Sequence, residues 1–166
     1  MEVRVRVPHR GIHAVTRTAR LGSCPLSTHA LPIAGHCLCG AVRFELTKPP
    51  LSAGYCHCTR CQRRTGTAAS AQARIPPGAL RILAGEQHVR TWQPEQGFAK
   101  LFCEICGSAL FSHDPGKRHW AVRLGALDPG HGIRPTYRQR IESACEWEPV
   151  PDDGLERFPG RAPANE

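Results

Sequence analysis

Nine cysteines in 166 residues constrain this chain more than any other feature, because seven of them fall into three tight groups. The groups are Cys37 with Cys39, Cys56 with Cys58 and Cys61, and Cys103 with Cys106. Thiols so close together along a chain suit metal chelation better than disulfide bridging in a reducing compartment. No apolar stretch of secretory type opens residues 1–35, and no apolar run is long enough to span a bilayer. The chain is therefore read as cytoplasmic and reduced, without a membrane segment.

The rest of the sequence points to strands. Gly 16 and Pro 15 together make about 19% of the residues, which argues against a helical bundle. Residues 41–46 alternate, with Val42, Phe44 and Leu46 on one face and Arg43 and Glu45 on the other. Residues 80–83, 89–92, 99–102 and 109–112 read as further short strands between turn residues, and 119–124 alternates again through Trp120, Val122 and Leu124. Only Thr59–Thr65 reads as helical, with Thr59 as its expected N-cap. The small-residue run from Thr67 to Arg74 suggests backbone packed against a neighbouring site. The expected class is all-β. A single domain should occupy residues 35–150, after a disordered or mis-assigned leader over 1–34 and before a polar tail over 151–166 that Phe158 tucks back.

Four thiolates close a tetrahedral zinc site. Cys103-Glu-Ile-Cys106-Gly107 has the form of a zinc-knuckle turn, and Cys37-Leu-Cys39-Gly40 offers a second pair, also followed by glycine. A shared ion there would clamp the first strand to the middle of the domain. Cys56-His57-Cys58-Thr59-Arg60-Cys61 supplies three thiolates, an odd number. Three protein ligands with an open position mark a catalytic zinc. Completion by His57, Cys145 or another cysteine would make the site closed and structural, and spacing alone leaves both readings standing. Neither ferredoxin spacing is matched, which disfavours an iron–sulfur cluster.

The formal charge of +8 invites a nucleic-acid partner, but half of the excess lies in residues 1–36, so such a partner is disfavoured. Arg60, Arg63 and Arg64 crowd the three-cysteine turn. Guanidinium forks beside a metal suit a carboxylate-bearing substrate.

Three segments carry a resemblance: Gly35-His-Cys37-Leu-Cys39-Gly-Ala-Val-Arg-Phe, Cys56-His-Cys58-Thr-Arg-Cys61-Gln-Arg-Arg-Thr-Gly66 and Phe102-Cys103-Glu-Ile-Cys106-Gly107-Ser-Ala-Leu-Phe. In this order they resemble the glutathione-dependent formaldehyde-activating enzyme family, which includes the centromere protein V-type domains. Arg123-Leu-Gly-Ala-Leu-Asp128 and Asp153-Gly-Leu-Glu-Arg-Phe158 extend the likeness. The resemblance implies a zinc-bearing β-tent of coiled antiparallel sheets. It also implies two zinc ions: a structural one on Cys37, Cys39, Cys103 and Cys106, and a catalytic one on Cys56, Cys58 and Cys61. The implied activity is a carbon–sulfur lyase that adds glutathione to formaldehyde. Two other functions fit the residues: a non-catalytic zinc module that binds a partner, and a redox enzyme on a similar fold that would have to use Cys145. Relatives commonly carry a histidine where this chain has Arg138.

Overall fold

The computed structural model describes residues 30–163. Eleven strands and one α-helix form two sheets: β1 (Ile33–His36), β2 (Arg43–Leu46), β3 (Ser52–Cys56), α1 (Thr59–Thr65), β4 (Ser70–Ile75), β5 (Leu80–Ala84), β6 (Val89–Trp92), β7 (Ala99–Cys103), β8 (Ala109–His113), β9 (Trp120–Arg123), β10 (Tyr137–Gln139) and β11 (Glu156–Phe158). The smaller sheet runs β1-β2-β5, and the larger runs β11-β10-β3-β4-β9-β8-β7-β6. The fold is all-β, as expected. The expectation of purely antiparallel sheets holds except at one edge, where β10 is parallel to both β3 and β11. Parallel neighbours need a long connection, and the stretch between β10 and β11 supplies one.

The core lies between the two sheets. Phe44 of β2 meets Phe111 of β8 edge to face, with centroids 4.8 Å apart, and both are fully buried. Val42 and Leu46 sit beside Phe44, as alternation requires. Glu45, expected on the solvent face, is buried instead: Arg81 of β5 donates to its carboxylate. A bulge in the β2–β5 register accompanies that pairing.

Four details differ from the sequence reading. Strand β1 begins at Ile33, a core residue inside the stretch read as leader; the rest of that leader, with Cys24, lies outside the described residues. The residue capping α1 is Cys58, not Thr59, and it makes no side-chain capping bond. Strands β1, β3, β10 and β11 were not expected from alternation, and β4 falls where only a run of small residues was read. The tail past residue 150 contributes β11, whose Phe158 stacks edge to face on Tyr137 at 6.1 Å. Among the described residues, no helix is long and apolar enough to cross a membrane.

The larger sheet has two unlike faces. In β4, Ala71, Ala73 and Ile75 turn to the core, while Ser70, Gln72 and Arg74 turn away. Gly54 of β3 has the Tyr137 ring over it: a Cβ there would lie 2.3 Å from Tyr137 Cε2. Tyr137 comes from the adjacent strand β10, directly opposite Gly54, so the glycine leaves room for that ring on the sheet's outer face. Truncating Phe44 to alanine would leave a cavity between the sheets and is expected to cost about 3–5 kcal/mol, read as a lower urea midpoint with an unchanged slope.

Candidate metal centres and the cleft beside them

Two turns bring four sulfurs together. Cys37 follows β1 and Cys39 lies two residues on; Cys103 ends β7 and Cys106 lies in the turn to β8. Their four Sγ atoms all lie within 4.8 Å of one another. The glycine after each pair, Gly40 and Gly107, has φ near +75°, which lets each turn fold back under its sulfurs. Val42 N–H donates to Cys37 Sγ at 3.3 Å, and Leu38 N–H donates to Ser108 Oγ at 3.0 Å, tying one turn to the other. The Ser108 hydroxyl, followed by its backbone, holds the Cys106 thiol down at about 5. A tetrahedron of zinc–sulfur bonds spaces sulfurs about 3.8 Å apart. The separations of 3.4 Å for Cys37–Cys39 and 4.0 Å for Cys39–Cys103 bracket that spacing, so this donor set fits a zinc ion.

Cys56, Cys58 and Cys61 form a second cluster with all three Sγ atoms within 4.8 Å. Cys56 ends β3, Cys58 caps α1, and Cys61 lies in its first turn. Cys61 and Gln62 both donate backbone N–H groups to the Cys58 carbonyl, at 2.9 and 3.1 Å. The sulfurs compete for negative charge. Contacts from Cys56 and Cys61 hold the Cys58 thiol far below its usual value, while contact with Cys58 pushes the Cys56 thiol up. Three clustered sulfurs with a thiolate among them suit a soft divalent cation.

The possible fourth ligands lie elsewhere. His57 is only 2% exposed, and it is not among the side chains that cluster with the sulfurs. Its Nε2 lies 3.3 Å from Arg138 Nη1, which donates to it. Arg138 is itself buried, bonded to Asp153 at 2.7 Å and stacked over Tyr55 at 4.4 Å. Cys145 lies beside the Glu148 carbonyl at 3.9 Å and does not line the cleft. Among the described residues, no further His, Cys, Asp or Glu joins the three sulfurs.

The three cysteines open instead onto a cavity of about 500 Å³ over the outer face of the larger sheet. Five cations line it: Arg60 of α1, Arg74 of β4, Lys100 of β7, and Arg140 and Arg161 from the segments after β10 and β11. Among the described residues, no carboxylate lines it. Phe98, Trp120 and Tyr137 add aromatic surface, and His119 stands on its wall. Arg161 and Lys100 lie over the Phe98 ring at 5.2 and 5.9 Å. Arg140 is held in the left-handed region at φ +60°, with its N–H bonded to the Gly160 carbonyl. That conformation is uncommon for a side chain other than glycine.

The three arginines singled out in the sequence separate. Arg60 reaches the cleft and donates to the Gln96 carbonyl. Arg64 points into the sheet, donating to the carbonyls of Leu101 and Phe111 at 2.8 and 3.0 Å beside a register shift. Arg63 is exposed and away from the cleft. Arg74, Lys100, Arg140 and Arg161 were not foreseen. The alternation of β4 could have revealed Arg74 opposite the core alanines, but the others converge only through tertiary pairing.

The wall carrying His119 depends on one turn. Asp114 Oδ1 accepts the His119 N–H at 2.8 Å, and this bond holds the Asp114 carboxyl below the usual carboxylate range. A carboxyl lowered by folding stabilises above its unfolded value, about 3.9, and that stabilisation is lost as pH falls through the lower folded value. Asp114→Asn is expected to cost about 1 kcal/mol at neutral pH. Its urea midpoint should stay below that of the wild type down to about pH 4 and converge on it only as pH falls further, through the folded value.

Comparison with known proteins follows the same residues. The family model described as glutathione-dependent formaldehyde-activating enzyme matches residues 32–143, which contain both cysteine clusters. A Halomonas elongata protein, provisionally named a glutathione-dependent formaldehyde-activating enzyme, is 32% identical over 87 residues, covering 49% of this chain and 55% of that protein. The chain therefore spans about half the length of the curated relative it matches. A crystal structure of a Rhodobacter sphaeroides protein shares the fold, with a TM-score of 0.51, 22% identity, and coverage of 76% of this chain and 99% of that one. With the match extending over most of the described fold, this chain belongs to the glutathione-dependent formaldehyde-activating enzyme family.

Proposed function

We propose that the protein is a zinc-dependent carbon–sulfur lyase that adds a small glutathione-like thiol to formaldehyde, giving S-(hydroxymethyl)glutathione. In that reaction the sulfur–carbon bond forms as the carbonyl π bond breaks, and the thiol proton ends on the new hydroxyl. One observation carries the reading: three cysteines beside a helix start open onto a cleft that, among the described residues, is lined by five cations and no carboxylate. Cys37, Cys39, Cys103 and Cys106 would hold a structural zinc, and Cys56, Cys58 and Cys61 a catalytic one. Cys56, Cys58 and Cys61 would hold a zinc ion that, when bound, would act as a Lewis acid favouring a thiolate or polarising a carbonyl oxygen.

The chain's own groups do the rest. Glutathione carries two carboxylates and one ammonium, so it is a net anion. Arg60, Arg140 and Arg161 at the mouth, with Arg74 and Lys100 deeper, are suited to bind its carboxylates. Holding thiol and aldehyde in one cavity removes much of the entropic barrier to their encounter. Phe98, Trp120 and Tyr137 offer apolar surface to the uncharged parts of such a thiol. The redox alternative is not favoured, because Cys145 does not reach the cleft.

Metal analysis should find two zinc ions per chain. Cys58→Ser should leave a folded protein with one, whereas Cys103→Ser should fail to fold; equal unfolding of both variants would overturn the division of roles.

Calorimetric titration of zinc-loaded protein with glutathione tests the cleft. Arg60→Ala and Arg140→Ala should each weaken binding up to about fivefold, with the loss shrinking at high salt. Arg63→Ala should change nothing, and Arg64→Ala should lower the melting temperature instead. Absence of glutathione binding to the zinc-loaded wild type would favour a partner-binding module.

A further inference from the structure

Arg123 of β9 is buried to 5% exposure, yet every acceptor it reaches is neutral. Its Nη1 donates to Ser70 Oγ at 3.1 Å and to Gln72 Oε1, and its Nη2 donates to Ser112 Oγ at 3.4 Å. Its Nε is buried with no partner. Among the described residues, no carboxylate forms an ion pair with it. A guanidinium does not shed its proton in a protein. A buried charge without a counter-charge is strongly unfavourable, so the compensating charge has to come from another group.

The sheet register shows where that group is. Ser70, which accepts from Arg123, is the cross-strand neighbour of Cys56, and Gln72 is the cross-strand neighbour of Arg123 itself. Gln72 and Ser112 also line the cleft floor beside the three cysteines. Burial works against the charged form of Arg123, and the groups that favour it are Cys61, Cys56 and Cys58. The nearby cations Arg64 and Lys100 are repelled by it and offer no relief.

We propose that Arg123 is the built-in counter-charge of the three-cysteine metal site, a positioning residue that holds Cys56, Cys58 and Cys61 ready for a divalent ion. The inference rests on the reading that this cluster binds zinc. Three thiolates around a divalent cation leave one net negative charge, and Arg123 supplies one positive charge from two strands away, bonded to the Ser70 hydroxyl that stands opposite Cys56. The dependence runs both ways: the arginine favours the charged sulfurs, and the charged sulfurs make its burial tolerable.

Zinc alone, competed against a chromogenic chelator, separates the two sites by affinity. Arg123→Gln keeps hydrogen-bonding capacity but loses the charge, and Arg123→Lys keeps the charge. Arg123→Gln should weaken the lower-affinity site about 10- to 100-fold and leave the four-cysteine site unchanged; Arg123→Lys should recover most of the loss. Equal affinities in wild type and Arg123→Gln would overturn the counter-charge. A wild type that takes up only one zinc would instead overturn the reading that the three cysteines bind metal.

A second measurement does not require Arg123→Gln to fold alone. The triple Cys56→Ser, Cys58→Ser, Cys61→Ser chain strands the arginine without a counter-charge and should melt below the wild type. Adding Arg123→Met to that chain should raise its melting temperature. A further fall would show that Arg123 serves packing and hydrogen bonding alone.

Discussion

The meeting of four sulfurs at the ends of two turns is the constraint on which the rest of this structure depends. Cys39 and Cys103 are 64 residues apart in the chain and 4.0 Å apart in space. One turn leaves the smaller sheet and the other leaves the larger, so their contact fixes how the sheets lie over the Phe44–Phe111 pair. Closing a loop of that length costs configurational entropy, which rises only slowly with length. A site built from both ends can offset it for the whole domain at once. The two turns are also bonded through Leu38 N–H and Ser108 Oγ, so the approach has protein contacts of its own.

Much of this was legible in the chain because strands with one buried face alternate. Residues 99–102 fall in β7, where buried and half-buried positions alternate, the helix over Thr59–Thr65 matches α1, and Val42, Phe44 and Leu46 lie on the core side as their spacing requires. The cysteine groups were legible because metal-binding spacings are local. What escaped notice depends on distant partners. Glu45 looks like a solvent residue until Arg81 arrives on the adjacent strand. Strands β10 and β11 have three residues each, too short to show a period, and they exist because β3 offers an edge. The cleft cations come from α1, β4, β7 and the segments after β10 and β11, so no window of sequence contains them together.

Arg138 ties the sheet edge to the buried ring beside the three cysteines. It stands on β10 with its guanidinium against Tyr55, Asp153 and His57. An arginine there can grip the Asp153 carboxylate and still present an N–H to the imidazole, because its donors fan out in one plane. The consequence falls on His57. Burial first, and the neighbouring arginine charge second, hold that imidazole below the usual histidine range. The ring is engaged beside the cysteines and is not counted among the side chains clustered with them.

The difference between the two clusters follows from how the chain delivers them. The four-cysteine group draws two sulfurs from each of two segments, and two turns facing each other can surround an ion. The three-cysteine group draws all its sulfurs from one segment, where a strand ends and a helix begins. A single segment presents ligands from one side, and closing the other side needs a second segment with a donor. The neighbours here decline that role: β10 and the residue after it bring Gln139 and Arg140, and β4 brings Gln72 and Arg74. The side left open is the side the cations surround. An ion held there would therefore face a volume of about 500 Å³ with an excess of positive charge, an environment that selects anionic ligands before any contact with the metal is made.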